Sequence, residues 1–172
     1  MVLLARKAIG ALWSSVFMTP VRAALDVADH HGQRAQPPVT GAGIAIQAFG
    51  LRAKLRQVDR WIGQAPCRVV EVHPEVSFAR LAGTPLTARN NTWAGAQLRH
   101  RLLATAGIAL DSDLGDTGRQ AGVDDVLDAA VCAWTARRVA NGQARPLPNP
   151  PQVFSDGLPC AIWSRPTTRP AA

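Results

Sequence analysis

Glutamate is nearly missing from this chain. Among 172 residues only Glu71 and Glu75 are glutamates, and both fall in the stretch RVVEVHPEVSF (68–78), with His73 between them. Lysine is as scarce, with Lys7 and Lys54 the only two among nineteen basic residues, so the formal charge of +7 rests on arginine. Those arginines are dispersed along the chain and form no polybasic run. A basic surplus can mark attraction to phosphate backbones, and the Ala-, Arg-, Gly- and Pro-rich composition of a GC-rich coding sequence produces the same surplus without any ligand. Both readings stay open. Cysteine is limited to Cys67, Cys132 and Cys160, an odd number, widely spaced and without a CxxC pair. This excludes a disulfide framework and a zinc-binding module, and suggests buried small apolar residues. No apolar run approaches the roughly 20 residues needed to span a bilayer, and the N-terminal segment has no signal-peptide cleavage pattern, so no membrane partner and a cytoplasmic location are expected. A Gly-rich phosphate loop, a serine-hydrolase elbow and internal repeats are also absent.

What remains is a chain with 47% hydrophobic and 18% charged residues, enough for one packed domain. Helical spacing of apolar residues runs through VLLARKAIGALW at the start and through PVRAALDVADHHG, which opens on Pro20 and stops at Gly32. A loop follows over residues 33–43. Residues 44–62 return to helical periodicity, weakened at Gly50. RVVEVH (68–73) is a β-branched run of strand length, ended by Pro74. EVSFARLAG then predicts a short helix closed by Gly83, and residues 93–106 another closed by Gly107. Residues 124–141 form the cleanest helical pattern, with Leu127, Ala130, Val131 and Trp134 on one face. The remainder is proline-rich, and CAIW (160–163) is its one candidate for a last strand. A single strand cannot satisfy its backbone alone, so RVVEVH calls for neighbours.

The acids form a recognisable constellation. In a strand Glu71 and His73 share one face, opposite Val70 and Val72. On the last helix Asp124 and Asp128 are four apart and Asp125 and Asp128 three apart, so Asp128 stacks with either on one side. Carboxylates from a strand and a helix start could converge on divalent cations that activate water for phosphodiester hydrolysis. The competing reading is structural. Asp124 or Asp125 suits an N-cap, first-turn acids favour the helix dipole, and Glu75 suits the start of a helix. His73 has three open roles: general acid, ligand, or hydrogen-bonded structural histidine.

The segments SSVF followed by TPVRAAL, GAGIAIQAFGLRAKLRQVD, VVEVHPEVSFARLAG and DDVLDAAVCAWTARRVANG together resemble domain-of-unknown-function family 429, regarded as predicted nucleases of RNase H-like fold. The resemblance implies an α/β, three-layer domain over residues 1–142, helix-rich around one central strand, with a proline-rich segment and a short C-terminal strand over 143–172. It implies a nuclease, a phosphodiester hydrolase, using Mg²⁺ or Mn²⁺. Carried over by position, Glu71, His73, Asp124, Asp125 and Asp128 are the candidate catalytic residues, with Glu71, Asp125 and Asp128 as metal ligands and Glu75 beside them. Nucleic acid is the implied partner. Members usually begin with an Asp-bearing strand and later carry a short strand of the type DIPIGL. Neither occurs here, so an N-terminally truncated domain with an incomplete site is expected. RNNT (89–92) replaces a more usual lysine pair before the threonine. The alternative is a non-catalytic binding or assembly module, including a homodimer that completes its sheet through the unpaired strand.

Overall fold

The computed structural model describes residues 1–17, 46–110, 113–153 and 157–166. The helix expected at 20–32 and the loop at 33–43 lie outside the described residues. The chain divides into two compact units. One comprises Met1, Leu3–Ser15 and Val70–Ala172, and the other comprises Val2 and Val16–Val69. The boundary therefore falls between Val69 and Val70, and the proline-rich C-terminal segment belongs to the same unit as the helices before it.

In the second unit, the described part of the helical pattern expected over 44–62 is not one helix. Residues 46–62 form α2 (Ile46–Gly50) and α3 (Arg52–Ile62). The break comes at Leu51, directly after the glycine that weakened the periodicity, whose missing side chain leaves the backbone with the most freedom to lose. The Arg52 guanidinium lies 4.3 Å from the centre of the Phe49 ring.

The first unit contains α1 (Val2–Ile9) apart from Val2, continued by a 3₁₀ turn over Gly10–Ser15, then α4 (Pro74–Ala82), α5 (Trp93–Thr105), α6 (Gly115–Gln120) and α7 (Val123–Ala140). Pro74 occupies the first turn of α4, where its missing N–H costs nothing, and Gly83 ends it in the left-handed conformation at φ 78°. Helices α4, α5 and α7 pack against one another. Their core is Phe78, Leu86, Leu103, Leu127, Val131 and Trp134. Leu127, Val131 and Trp134 recur at helical spacing, which gives α7 the apolar stripe the sequence announced. A buried polar tie joins α4 to α7. The Thr135 hydroxyl donates to the Val131 carbonyl at 3.0 Å, so the Ser77 hydroxyl donates to Thr135 Oγ1 at 2.8 Å.

The sheet departs from expectation. RVVEVH is not its central strand. Residue 71 makes one parallel bridge with Ile162, and the Trp163 N–H donates to the Glu71 carbonyl at 2.8 Å. The sheet itself is a two-stranded antiparallel pair of β1 (Arg145–Val153) and β2 (Pro159–Ser164). CAIW is thus a strand, and so is RPLPNPPQV, whose prolines argued against one. Prolines cannot donate to a ladder, but β1 pairs only with β2 among the described residues, and an edge tolerates them. The register shifts between Leu147 and Gln152, where consecutive prolines interrupt the ladder. β2 sits between β1 and the bridge at residue 71, and Cys160, Ala161, Ile162 and Ser164 are buried. Of the cysteines, Cys160 is buried and Cys132 half-buried, but Cys67 is exposed, against expectation. No helix among the described residues is long and apolar enough to cross a membrane.

Candidate functional site

The two glutamates have different fates because a helix begins between them. Glu71 lies on the bridged segment and is exposed. Partial desolvation raises its carboxyl above the usual range, and the Met1 ammonium offsets part of that rise. The same carboxylate helps to raise the Cys160 thiol, whose main perturbation is burial. Glu75, in the first turn of α4, is buried at 7% exposure and points at α5. There it meets Arg99, a fully buried guanidinium whose Nη2 donates to both Glu75 oxygens at 2.6 and 2.7 Å. One nitrogen spanning both oxygens makes two short charge-assisted hydrogen bonds, each stronger than a neutral one.

Arg99 does more than neutralise Glu75. Its Nη1 donates to the carbonyls of Ala88 and Gly95, each at 3.0 Å, and its Cζ lies 5.4 Å from the centre of the Phe78 ring. One side chain therefore fixes the acid on α4 and both ends of loop 88–95. Thr92 closes the same loop. Its hydroxyl accepts from the Gly95 N–H at 3.1 Å and donates to the Arg89 carbonyl at 2.7 Å, capping α5.

Asp128, on α7, stands in the field of this group. Its pKa is pushed up to about 6, first by burial, then by the charge of Glu75, with Arg99 pulling the other way and Asp124 and Asp125 adding to the rise. Its Oδ1 is buried and accepts no hydrogen bond among the described residues. Asp124 and Asp125 occupy the first turn of α7, and Gly122 takes the N-cap position, so neither aspartate caps the helix as one reading of the sequence expected. The raised Asp128 pKa predicts a pH dependence with a definite sign. Between pH 3.8 and about 6 the folded chain holds a proton that the unfolded chain has released, so stability falls as pH rises through that window. Asp128→Asn should remove that slope and raise the neutral-pH urea midpoint. A mutant whose midpoint tracks pH as the wild type does would refute it.

His73 is the N-cap residue of α4 and half-buried. Its Nε2–H donates to the Ser15 carbonyl at 3.3 Å, which makes the ring a tie between the 3₁₀ turn and α4. Burial lowers its pKa, and the Ser15 bond and Glu75 oppose that shift. Cys132, one turn beyond Asp128, has its thiol raised by burial and by that aspartate.

The structure thus gathers Asp128 with Asp124, Asp125, Glu75 and Arg99, and the charges acting on Glu71 come from elsewhere. No group of three or more His, Cys, Asp or Glu side chains among the described residues is arranged to hold a metal ion. Arg99 was missed in the sequence. A signal existed: it lies four residues after Gly95 and four before Leu103, on the stripe that α5 buries.

A cleft of about 390 Å³ opens beside this group, with Asn90, Asn91, Trp93, Gln97, His100 and Asp124 on its walls. The fold and site define a helix-rich α/β protein whose central helices are locked by a buried arginine–carboxylate fork. Residues 3–153 match the family described as Protein of unknown function (DUF429), and the chain belongs to that family. No curated protein and no solved structure matches it.

Proposed function

We propose that this chain is a nuclease-like phosphodiesterase of RNase H-like ancestry, acting in the cytoplasm, with Asp128 at the centre of its site. The observation that carries the reading is the state of that aspartate: half-buried, with one oxygen unpartnered and a pKa near 6, beside three further carboxylates and a single guanidinium. Such an excess of negative charge is what a divalent cation neutralises. Mg²⁺ commonly uses only one or two protein carboxylates and completes its shell with water and phosphate oxygens, so Asp128 with Asp124 or Asp125 is a sufficient donor set. Glu75 stays outside it, because both its oxygens are engaged by Arg99. Bound there, Mg²⁺ or Mn²⁺ would stabilise charge on the phosphoryl oxygens. The residues of the chain hold the carboxylates in place: the Arg99 fork fixes Glu75, and the packing of α7 on α4 and α5 fixes Asp128.

The test is cleavage of single-stranded, duplex and structured nucleic acids with Mg²⁺ or Mn²⁺. Asp128→Asn should lower the rate by about 100-fold or more, as loss of a group acting in the chemical step does. The same substitution should weaken Mn²⁺ binding measured by calorimetry. Because it is expected to stabilise the fold at neutral pH, lost activity could not be blamed on unfolding. A wild-type chain inert with both metals on all substrates would end this reading.

A second reading, a non-catalytic module that completes its sheet with a partner strand, is favoured by the single bridge that residue 71 makes. The four prolines of β1 blunt that edge against strand addition, which leaves the segment around Glu71 as the place for it. A monomer by sedimentation at high concentration would count against it.

A further inference from the structure

We propose that the cleft beside α5 seats an unpaired nucleobase, so that the strand bound is single-stranded nucleic acid; this names the substrate class for the phosphodiesterase reading and rests on it. Trp93, the first residue of α5, is 80% exposed. An indole this open contributes little to the core and offers a flat apolar face on which any base can stack. Around it, Asn90, Asn91 and Gln97 present amides, each with donors and an acceptor in one plane, and His100 adds a ring nitrogen. Planar groups of this kind match the edges of a splayed-out base. The Asn90 and Asn91 amides carry no charge, which suits them to base edges more than to phosphates. Asp124 lines the same cleft, so a base seated here lies next to the acidic first turn of α7.

The wall is also built before any ligand arrives. Thr92 caps α5 and holds the Arg89 carbonyl, while the buried Arg99 holds the carbonyls of Ala88 and Gly95. A pre-ordered loop lowers the entropic cost of binding. The volume of about 390 Å³ lies within the roughly 300–1,000 Å³ of small-ligand sites. A Trp platform with amides can also seat a sugar ring. No arginine or lysine among the described residues lines the cleft, so the formal charge of +7 acts at long range, drawing a polyanion rather than a neutral glycan to the chain as a whole. A duplex hides the faces of its bases, so the cleft distinguishes single from double strands.

The experiment uses the full chain in EDTA, with labelled single-stranded DNA and RNA of mixed sequence, a duplex of equal length, and a neutral oligosaccharide. Single strands should bind more tightly than the duplex. Trp93→Ala should weaken single-strand binding by about 5- to 100-fold, the loss of one base–aromatic stack. Trp93→Phe should retain most of the affinity, and neither variant should move the melting midpoint, since the side chain is exposed. Equal affinity for duplex and single strand, unchanged affinity in Trp93→Ala, or preferential binding of the oligosaccharide would each overturn the assignment. Because binding is read without divalent ions, the two claims separate. A chain that binds single strands through Trp93 but cleaves nothing keeps the cleft and loses the phosphodiesterase. A chain that cleaves, with Trp93→Ala binding normally, does the reverse.

Discussion

Replacing Arg99 with methionine should cost roughly 3–5 kcal/mol of stability, the loss found when one partner of a buried ion pair is removed. Methionine approximates the aliphatic stem but makes none of the four hydrogen bonds to Glu75, Ala88 and Gly95. It leaves the Glu75 carboxylate buried without a counter-charge and in the field of Asp128. Arg99→Lys should recover only part of the loss, because an ammonium keeps the charge but cannot fork onto both oxygens and still reach two carbonyls. Pairing Arg99→Met with Glu75→Gln should restore a large share, since the stranded charge is then gone. Full recovery is not expected, because the Ala88 and Gly95 carbonyls lose their buried donor. Urea midpoints of the four proteins test this. A methionine variant that melts with the wild type would show that Arg99 does not hold these elements together.

Gly95→Ala should be nearly as damaging, for a reason of shape. A Cβ at this position would lie 1.8 Å from the Arg89 carbonyl oxygen, 2.7 Å from its carbon and 3.0 Å from Thr92 Oγ1. Two of those atoms are backbone, so no side-chain rotation relieves the clash and loop 88–95 must move. Forced repacking costs about 1–3 kcal/mol, and loss of the Thr92 cap adds about 1 kcal/mol. Because the same loop carries Asn90 and Asn91, the substitution should also weaken single-strand binding, whereas Trp93→Ala should weaken binding alone. Gly50→Ala is the control: nothing lies within 4 Å of the added methyl, and a gain of about 0.4–1 kcal/mol is expected. Thermal melts of both proteins decide it, and equal midpoints for Gly95→Ala and wild type would refute the close approach.

These two residues also mark where the sequence stopped being informative. Gly95 reads as an ordinary glycine inside a helical pattern, and only the approach of a loop from outside the helix makes it irreplaceable. Arg99 reads as one of many arginines, and its burial depends on Glu75, twenty-four residues away on another helix. The acidic cluster was half legible. The spacing of Asp124, Asp125 and Asp128 follows from the helix alone, and it correctly put Asp128 among like charges. That Glu75 and not Glu71 would join them was not, because Glu71 sits on the sheet side and Glu75 turns into the helices once α4 begins at Pro74. The strands were the weakest part. RVVEVH has the right residues for a strand but finds only one rung among the described residues, whereas RPLPNPPQV has the wrong ones and pairs with β2.

Helices α1, α4, α5 and α7, the stops of α4 and α5 at Gly83 and Gly107 and the apolar stripe of α7 were set by local sequence, because capping, propensity and periodicity act between residues a few positions apart. The strand partners, the pairing of Arg99 with Glu75, the raised pKa of Asp128 and the cleft under Trp93 were decided only by tertiary structure. Each depends on which groups lose water and which charges come together when distant segments pack, and desolvation and Coulomb energies are set by distance in space.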